Sequence, residues 1–501
     1  MGKPDFHHAL KIDRDVCIGC THCMNICPTE AIRVRNGKAV LIDNRCVDCG
    51  FCYRVCPVNA IIVEQDDFNR IFEYKVRVAL MPAVLTGQFP ENVSLRQIHS
   101  ELLALGFTHI CEVEQGVELL YGVMMEYMEQ QKGTRPLISA FCPAIVRLIQ
   151  VRFPALVENL IHLKPPLDIS ALGFREQLIE EGYDGNDIGI FYITPCAAKI
   201  AAVKSPVGQI DSPITGVINM NFIFNKAYTR IRQEKGDSCI VPEMRQLTPR
   251  SLLWSLTGGE SDHAPGRSLA IDEIHNVINF LEQLENEEMK DIDFLELRAC
   301  DESCAGGVLT TANRFFTVER LRKLAEKLEF EVTAGKTGEV SRSGVSGEPP
   351  GSGVSGAAPG SGVSGAAPGS GGNGKPGKPG KSGVSGKPSG PGRHEDFLKK
   401  QMTISPIEPR SMLKLDDDMS EAMKKLKRVE EITKCLPDVD CAACGSPNCQ
   451  AFAEDIVQGY AKINQCVFVQ RIFENRGILS CEESLRIMKE VWGGDKLDKN
   501  C

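Results

Sequence analysis

Residues 17–28 read CIGCTHCMNICP, and residues 46–57 repeat the pattern as CVDCGFCYRVCP. Each stretch spaces its cysteines C-x-x-C-x-x-C-x-x-x-C and ends in proline. Thiolates in such runs hold iron–sulfur clusters, with three ligands from one run and the fourth from the other. Two zinc sites would need only four cysteines each in simpler spacing. We therefore predict two 4Fe-4S clusters, one on Cys17, Cys20, Cys23 and Cys56 and the other on Cys46, Cys49, Cys52 and Cys27.

The chain has 501 residues, enough for about three domains that each bury a core. The duplicated cysteine run is typical of bacterial ferredoxins, so we predict an α+β ferredoxin-like domain with two clusters over residues 1–66. Most of the 21 cysteines lie in closely spaced groups. In a reducing compartment such groups indicate metal ligands rather than disulfides.

Charge and hydropathy argue against two classes of protein. The formal net charge of −9 disfavours a nucleic-acid binder that neutralises phosphates. The N-terminal residues MGKPDFHHAL lack the apolar run of a signal peptide, and no stretch approaches the roughly 20 apolar residues of a membrane helix. We expect a cytoplasmic protein with no membrane insertion.

Residues 75–335 have the texture of an α/β domain. Short apolar runs that read as strands alternate with amphipathic helical patterns such as residues 272–286. The runs are KVRVAL at 75–80, RPLISA at 135–140, IGIFYI at 188–193 and FLELRA at 294–299. This alternation predicts mainly parallel sheets flanked by helices.

Residues 336–395 are rich in Gly, Ser and Pro and contain the repeat SGVSGAAPG from Ser352 and from Ser361. Such a composition buries too little apolar surface to fold, so we predict a disordered linker. Beyond it we predict a small, mainly α domain over residues 405–475 with helices at 419–434 and 450–464. Residues 476–501 are expected to be a tail.

The C-terminal domain contains a second cysteine group, formed by Cys441, Cys444, Cys449 and Cys466. The cysteine spacing alone does not decide between one 4Fe-4S cluster and one zinc ion. The stretch PDVDCAACGSPNCQAFAEDIVQGYA resembles the small 4Fe-4S domain of electron-transfer and corrinoid-linked proteins. With eight cluster ligands already upstream, we favour a 4Fe-4S cluster.

Three further cysteine loops each follow a predicted strand. They read FCPA at 141–144, TPCAAK at 194–199 and CDESCAGG at 300–307. Open α/β sheets place ligand sites at the carboxyl ends of their strands. Any one of these cysteines alone could be a buried structural residue, but together Cys142, Cys196, Cys300 and Cys304 predict one more cluster.

On these motifs, residues 1–335 resemble an FeFe (iron-only) hydrogenase, whose catalytic domain has two lobes. The resemblance implies an H-cluster, which is a 4Fe-4S cubane joined through a cysteine to a di-iron unit with CO, CN and dithiolate ligands. It makes Cys304 the bridging ligand and Lys199 a donor to a cyanide. It also places Pro82 and Ala83, in the segment 81–84, on the pocket wall and Glu118 on a proton route.

The sequence also departs from the family. Phe141 stands where a cysteine passes protons to the cluster, and Gln115 replaces a glutamate of the proton route. Thr194 and Arg298 replace two methionines that pack on the di-iron unit. Proton relays need titratable groups within hydrogen-bond reach. Cys111, Asp301 or Glu302 could replace the missing relay, although a structural or solvated role suits each better.

These features resemble the divergent branches of the family that are regarded as sensory. We therefore predict a ferredoxin-type FeFe hydrogenase of low activity that interconverts H2 with protons and electrons, or senses H2 with slow turnover. Its expected partners are an external electron carrier such as ferredoxin, H-cluster maturation proteins and a signalling protein. The alternative is a non-catalytic iron–sulfur protein, for electron transfer or cluster assembly, that lacks the di-iron unit.

Overall fold

The structure is a computed structural model that describes residues 6–131, 133, 135–233, 247–286, 291–340, 398–410, 415–416 and 418–494. None of the helices in these ranges has the length and apolar character needed to cross a bilayer.

The N-terminal part combines short helices with antiparallel strands. Its elements are β1 Leu10–Ile12, α1 His22–Asn25, β2 Ile32–Arg35, β3 Lys38–Leu41, α2 Phe51–Val55 and β4 Ile61–Val63. Strand β1 pairs with β4, and β2 pairs with β3. Helices α1 and α2 carry Cys23 and Cys52, so each half of the duplicated sequence contributes one helix and its cysteine loop.

The central part alternates strands and helices, as the sequence predicts. In chain order its elements are β5 Val76–Met81, α3 Ala83–Gln88, α4 Leu95–Ala104, β6 His109–Glu112, α5 Val117–Gln130, β7 Leu137–Ile138, α6 Pro143–Arg152, α7 Pro166–Glu180, β8 Ile188–Thr194, α8 Ala197–Lys204, β9 Gly216–Asn219, α9 Met220–Arg232, α10 Pro249–Leu253, β10 Ser268–Ile271, α11 Ile274–Glu285, β11 Phe294–Leu297 and α12 Arg314–Val340.

Two parallel sheets organise this part. One has the strand order β6-β5-β8-β9 and the other β10-β11-β7. Every residue of β8 is buried, which explains its unbroken apolar run. The prediction of parallel sheets with helices is confirmed. The strand predicted over 135–140 is shorter, Leu137–Ile138, because the chain then leaves the sheet and reaches the start of α6.

The last described part is helical, with α13 Met419–Thr433, α14 Cys449–Val457, α15 Val467–Asn475 and α16 Cys481–Trp492. The helix predicted over 450–464 ends at Val457, because Gly459 adopts a left-handed φ of 80°. The tail predicted over 476–501 needs correction over 481–492. There the spacing of Ile487 and Val491 gives α16 a buried apolar stripe.

The predicted linker over 336–395 lies largely outside the described residues. Its start needs correction, since α12 continues to Val340. The C-terminal domain predicted from 405 also starts too early, because residues 403–410 pack on the central part. Thr403 forms an antiparallel bridge with Leu163. The Ile404 N–H donates to the carbonyl of His162 at 3.0 Å.

Candidate functional site

Three loops bring cysteines together at the carboxyl ends of parallel strands. The loop after β7 leads to Cys142 at the N-cap of α6, and the loop after β8 leads to Cys196 at the N-cap of α8. The loop after β11 carries Cys300 and Cys304. A helix N-terminus favours negative charge, so the first two positions suit thiolates.

The four thiols are close enough for their charges to interact. Burial raises the pKa of Cys300, and Cys196, Cys142 and Cys304 raise that pKa further. Burial also raises the pKa of Cys196 to about 11. Several enclosed thiolates need a compensating cation. The cysteines predicted as a set are therefore brought together, and this donor set fits an iron–sulfur cluster.

Cys304 differs from the other three thiols in its charged neighbours. Burial acts to raise the pKa of Cys304, but the Lys199 ammonium and the Arg298 guanidinium outweigh it and leave this pKa lowered. Lys199 Nζ donates a hydrogen bond to Cys304 Sγ at 3.1 Å. Cys304 also lines a cavity of about 40 Å³. Cys304 is thus a thiol with two cationic neighbours that also borders the cavity.

Most of the predicted site residues surround this cavity. Its wall includes Pro82, Phe141, Lys199, Arg298 and Cys304. Two predicted residues lie just behind the wall instead. The Ala83 N–H donates to Glu114 at 2.8 Å, and Thr194 Oγ1 donates to the carbonyl of Cys196 at 2.9 Å. Ala83 and Thr194 therefore act on the site through these partners.

Phe141 separates two cavities. Its ring packs against Trp254, with centroids 6.0 Å apart. It lines the cavity beside Cys304 and also a second cavity of about 70 Å³, which reaches Asp168. Burial raises the pKa of Asp168 to about 6. The position predicted to lack a proton relay is thus filled by an apolar ring between two partly polar spaces.

Glu118 lies away from the cavity, in a partly exposed position. Its carboxylate accepts hydrogen bonds from Thr248 and Arg250. Partial burial acts to raise its pKa, but these two partners outweigh it and lower the pKa of Glu118. Its place on a proton route stays a prediction. Two of the residues considered as replacements for the missing proton relay have other partners. Cys111 is buried against backbone carbonyls, and Asp301 pairs with Arg314.

Glu114 is a site residue that the sequence reasoning missed. It is buried on the cavity wall. One carboxylate oxygen accepts the Ala83 N–H, whereas Oε2 has no hydrogen-bond partner in the described structure. Burial, with a smaller contribution from Glu112, raises the pKa of Glu114 to about 8. The available signal was the pair of acidic residues at the carboxyl end of a buried strand.

Glu114 makes stability depend on pH. Its folded pKa of about 8 lies above its usual 4.5. Its contribution to the free energy of unfolding is therefore fully present below pH 4.5 and is lost as the pH rises to 8. We expect Glu114→Gln to remove on the order of 2–4 kcal/mol of this loss, measured by denaturant unfolding at pH 5 and pH 8. The control Glu118→Gln should lose as much free energy of unfolding between pH 5 and pH 8 as the wild type. If Glu114→Gln also loses as much as the wild type, the raised pKa is wrongly assigned to Glu114.

Arg298 belongs to a buried ionic network under the cavity wall. Its guanidinium pairs with Glu260 and, at 3.3 Å, with Glu296. Glu260 also accepts from Ser139 Oγ at 2.8 Å. Glu296 accepts the N–H groups of Glu260 and Ser261 at 3.0 and 2.9 Å. The predicted pocket residue Arg298 therefore also holds the two sides of the wall together.

The N-terminal cysteines are grouped crosswise in the structure, and their assignment as cluster ligands stays a prediction. Burial raises the pKa of Cys23 to about 12, and the nearby charges that add to this are those of Cys20, Cys17 and Cys56. The second set is gathered around Cys49 in the same way, with Cys27 from the other run beside it. Backbone N–H groups point at the sulfurs, as from Ala31 to Cys27 and from Ala60 to Cys56, both at 3.2 Å.

The C-terminal cysteines also lie together. Burial raises the pKa of Cys444 to about 11, and Cys466 and Cys441 add to it. Cys449 begins α14, and Asn448 caps that helix through its side chain. Three of these residues are buried, whereas Cys441 is exposed. This group is built on a loop and two helix starts rather than on a sheet.

Comparison with known proteins identifies three family matches in this chain. Residues 10–63 match the 4Fe-4S dicluster domain. Residues 74–220 match the C-terminal domain of the iron-only hydrogenase large subunit. Residues 436–468 match an Fe-S cluster family. The matches fall on the three cysteine-bearing parts described above.

Two curated relatives are hydrogenases. Iron hydrogenase 1 of Clostridium pasteurianum is 26% identical over 58% of this chain and 54% of its own length. The periplasmic [Fe] hydrogenase large subunit of Nitratidesulfovibrio vulgaris is 28% identical over 52% of this chain and 68% of its own length. The chain thus spans little more than half of the first relative.

Solved structures of an [FeFe]-hydrogenase from Chlamydomonas reinhardtii are also similar. One variant is 16% identical, with a TM-score of 0.37 over 52% of this chain and 85% of that chain. These values are too low for the likeness to bear on function.

Proposed function

We propose that this chain, a divergent FeFe hydrogenase-like protein, interconverts H2 with protons and electrons. The observation that carries the proposal is the convergence of four thiols at strand ends, one of them facing a cavity beside Lys199. Turnover is slow, because Phe141 occupies the position from which a relay would deliver protons. The slow enzyme acts as a sensor of H2.

The residues around the cavity fit an H-cluster. Cys142, Cys196, Cys300 and Cys304 would hold its cubane, with Cys304 shared with the di-iron unit. When bound, that group supplies the redox chemistry of H2. Lys199 has three N–H donors and gives one to Cys304. The others are available to acceptors in the cavity, as a cyanide ligand requires.

Three further 4Fe-4S clusters would conduct electrons. Two belong to the ferredoxin-like domain, proposed over residues 1–66, and one to the C-terminal helices, proposed over 418–494. The H-cluster domain is proposed over 75–340, with each parallel sheet and its helices forming one lobe. An external carrier such as ferredoxin exchanges electrons with these clusters. Maturation proteins load the di-iron unit, and a signalling partner receives the output.

Sulfur spacing supports clusters over single zinc ions. Four thiolates about 2.3 Å from one zinc lie about 3.8 Å apart. Within the described part of the chain, the one group of three possible ligands whose donor atoms all lie within 4.8 Å of one another is His8, Cys46 and Asp48. The cysteine sets, including the C-terminal one, are therefore spread more widely than zinc would hold them.

Glu114 supports a proton-exchange role at the cavity. Its free oxygen and its pKa of about 8 suit a group that takes up and releases protons near neutral pH. It lines the same cavity as Cys304. We therefore assign proton exchange beside the cluster to Glu114.

Infrared spectroscopy tests the proposal. The full chain is matured with the di-iron precursor, and the expected result is a set of CO and CN stretching bands, followed by slow H2 evolution with a reduced viologen dye. Loss of the bands with the iron–sulfur absorption intact would refute the hydrogenase function. Bands without any turnover would refute catalysis and leave the sensory role.

The competing function is a non-catalytic iron–sulfur protein. The packing of Phe141 on Trp254 favours it, because an apolar contact occupies the place of the relay. In that case the cubane cysteines serve electron transfer or cluster assembly and the di-iron unit is never inserted. The same infrared experiment separates the two functions.

Restoring a thiol at the relay position should increase activity. We expect Phe141→Cys to raise H2 evolution by about 10-fold or more, because a positioned proton-transfer group contributes about 100-fold or more in favourable cases. The matched control is Phe141→Ala, which opens the same space without a titratable group. If the two variants evolve H2 at equal rates, the gain comes from access and the relay interpretation is wrong.

A further inference from the structure

Buried charges join the N-terminal part to the C-terminal helices. Arg33 Nε and Arg35 Nη2 on β2 each donate to Oδ2 of Asp455 on α14 at 2.7 Å. Ser446 Oγ donates to the same oxygen at 2.7 Å. The side chains of Arg33 and Asp455 are only 3% and 6% exposed. Buried charges persist where they are paired and hydrogen-bonded, and loss of one partner is costly.

A second ionic contact lies directly beside a cluster ligand. Arg45 precedes Cys46, and its guanidinium pairs with Glu454 of α14. Both side chains are buried. The same guanidinium lies 3.5 Å from Glu30. The loop that supplies Cys46 is thus attached to the helix that supplies Cys449.

Glu30 and Asn448 form a side-chain link between two cysteine loops. The Glu30 N–H donates to the carbonyl of Cys27 at 3.1 Å. Its side chain accepts from Asn448 Nδ2 at 2.6 Å, and Asn448 directly precedes Cys449. Cys27 and Cys46 belong to the same predicted ligand set. The C-terminal cysteines therefore face that set through one layer of hydrogen-bonded residues.

Backbone contacts fix the same arrangement. The Val34 N–H donates to the carbonyl of Gly445 at 2.8 Å. A Cβ at Gly445, whose φ is 77°, would approach the Val34 carbonyl oxygen to 2.2 Å, so the close approach requires glycine. Beyond β2, the N–H groups of Asn36 and Gly37 donate to the carbonyls of Glu490 and Val491 at 3.1 and 2.9 Å.

We propose that this docked surface, here named the β2–α14 interface, makes the C-terminal cluster and the cluster of Cys27, Cys46, Cys49 and Cys52 direct electron-exchange partners. The inference rests on the cluster occupancy of the proposed function. One electron leaves one reduced 4Fe-4S cluster, which is oxidised by one unit, and reduces the other, with no bond made or broken. The electron enters from a low-potential one-electron carrier protein or from H2. The C-terminal cluster therefore works in series with the ferredoxin-like domain and not as a swinging shuttle.

Electron paramagnetic resonance of the full chain tests this proposal. The chain is loaded with iron and sulfide only and reduced with dithionite, so no H2 chemistry is involved. We expect magnetic coupling between the C-terminal and ferredoxin-like clusters in the wild type. Glu454→Arg should abolish the coupling, and adding Arg45→Glu should restore it by exchanging the two charges. Arg471→Ala, at an exposed pair on α15, is the control that should keep it.

A second variant, Cys444→Ser, tests the proposal if Glu454→Arg fails to fold. Cys444→Ser removes a proposed ligand of the C-terminal cluster, and the remaining signal should lose the coupling to that cluster and keep only the coupling between the two ferredoxin-like clusters. An unchanged line shape in Cys444→Ser, or coupling that persists in folded Glu454→Arg, would overturn the proposal. Failure of the proposed function shows itself separately, as absent CO and CN bands in a protein whose clusters still couple.

Discussion

Cys304→Ala is expected to abolish H2 turnover and the CO and CN infrared bands of matured protein, with activity falling more than about 100-fold. Even outer-shell partners of metal ligands cost about 10- to 100-fold when removed, and a bridging ligand should cost more. Cys304, the proposed bridging ligand, lines the cavity and accepts a hydrogen bond from Lys199. Its replacement removes the attachment point and leaves the Lys199 ammonium without its sulfur partner.

The matched control is Cys111→Ala. Cys111 is also buried, but its thiol faces the backbone carbonyls of Glu112 and Ser170 at 3.8 Å. That variant should keep the bands and the turnover, apart from a modest loss of stability. The ferredoxin-type resonance signal should be unchanged in both variants, whereas iron content should fall in Cys304→Ala alone. If Cys304→Ala keeps CO and CN bands, the di-iron unit is held elsewhere and the assigned ligand set is wrong.

Arg298→Met is expected to lower the free energy of unfolding by about 3–5 kcal/mol, because it leaves two buried carboxylates without their cation. Glu260 and Glu296 are both fully buried. Methionine is unbranched and flexible, so it fills much of the space of the arginine stem and the lost charge dominates the effect. Denaturant unfolding of the full chain, followed by loss of iron–sulfur absorption and by tryptophan fluorescence, measures it. Trp254 reports this region, since its carbonyl accepts from Arg298 at 3.4 Å.

A compensated variant separates charge from packing. Adding Glu260→Gln and Glu296→Gln to Arg298→Met removes the unpaired charges and should recover most of the lost free energy. The triple variant also serves to test whether Arg298 affects the site, because Arg298 contributes to the lowered pKa of Cys304. A single variant within about 1 kcal/mol of wild type would show that the carboxylates are protonated or hydrated without the arginine.

The grouping of the cysteines could be predicted because cysteine spacing is a local property of the sequence. The duplicated run and the strand-end loops at Cys142, Cys196 and Cys300 needed only local patterns and the topology of parallel sheets. Strand β8 could also be predicted, because its seven residues are all buried and most of them are apolar.

The ionic contacts could not be predicted from the sequence. Arg298 and Glu260 are separated by 38 residues, and Arg33 and Asp455 by 422. Nothing in a periodic pattern indicates which distant charge will meet which. The same limit applies to α13, which was predicted as a helix, because its residues Met419 and Met423 are 78% and 60% exposed. Periodicity identifies a face and not its neighbour.

The β2–α14 interface has a consequence for the order of events during synthesis. The N-terminal partner of the interface ends at Arg35, whereas α16 ends at Trp492. At roughly 5–20 residues per second, ribosomal elongation separates these two points by tens of seconds. Until α14 and α16 dock, the loops of Cys27 and Cys46 lack this contact. We therefore expect cluster delivery to these loops to precede the docking of the β2–α14 interface.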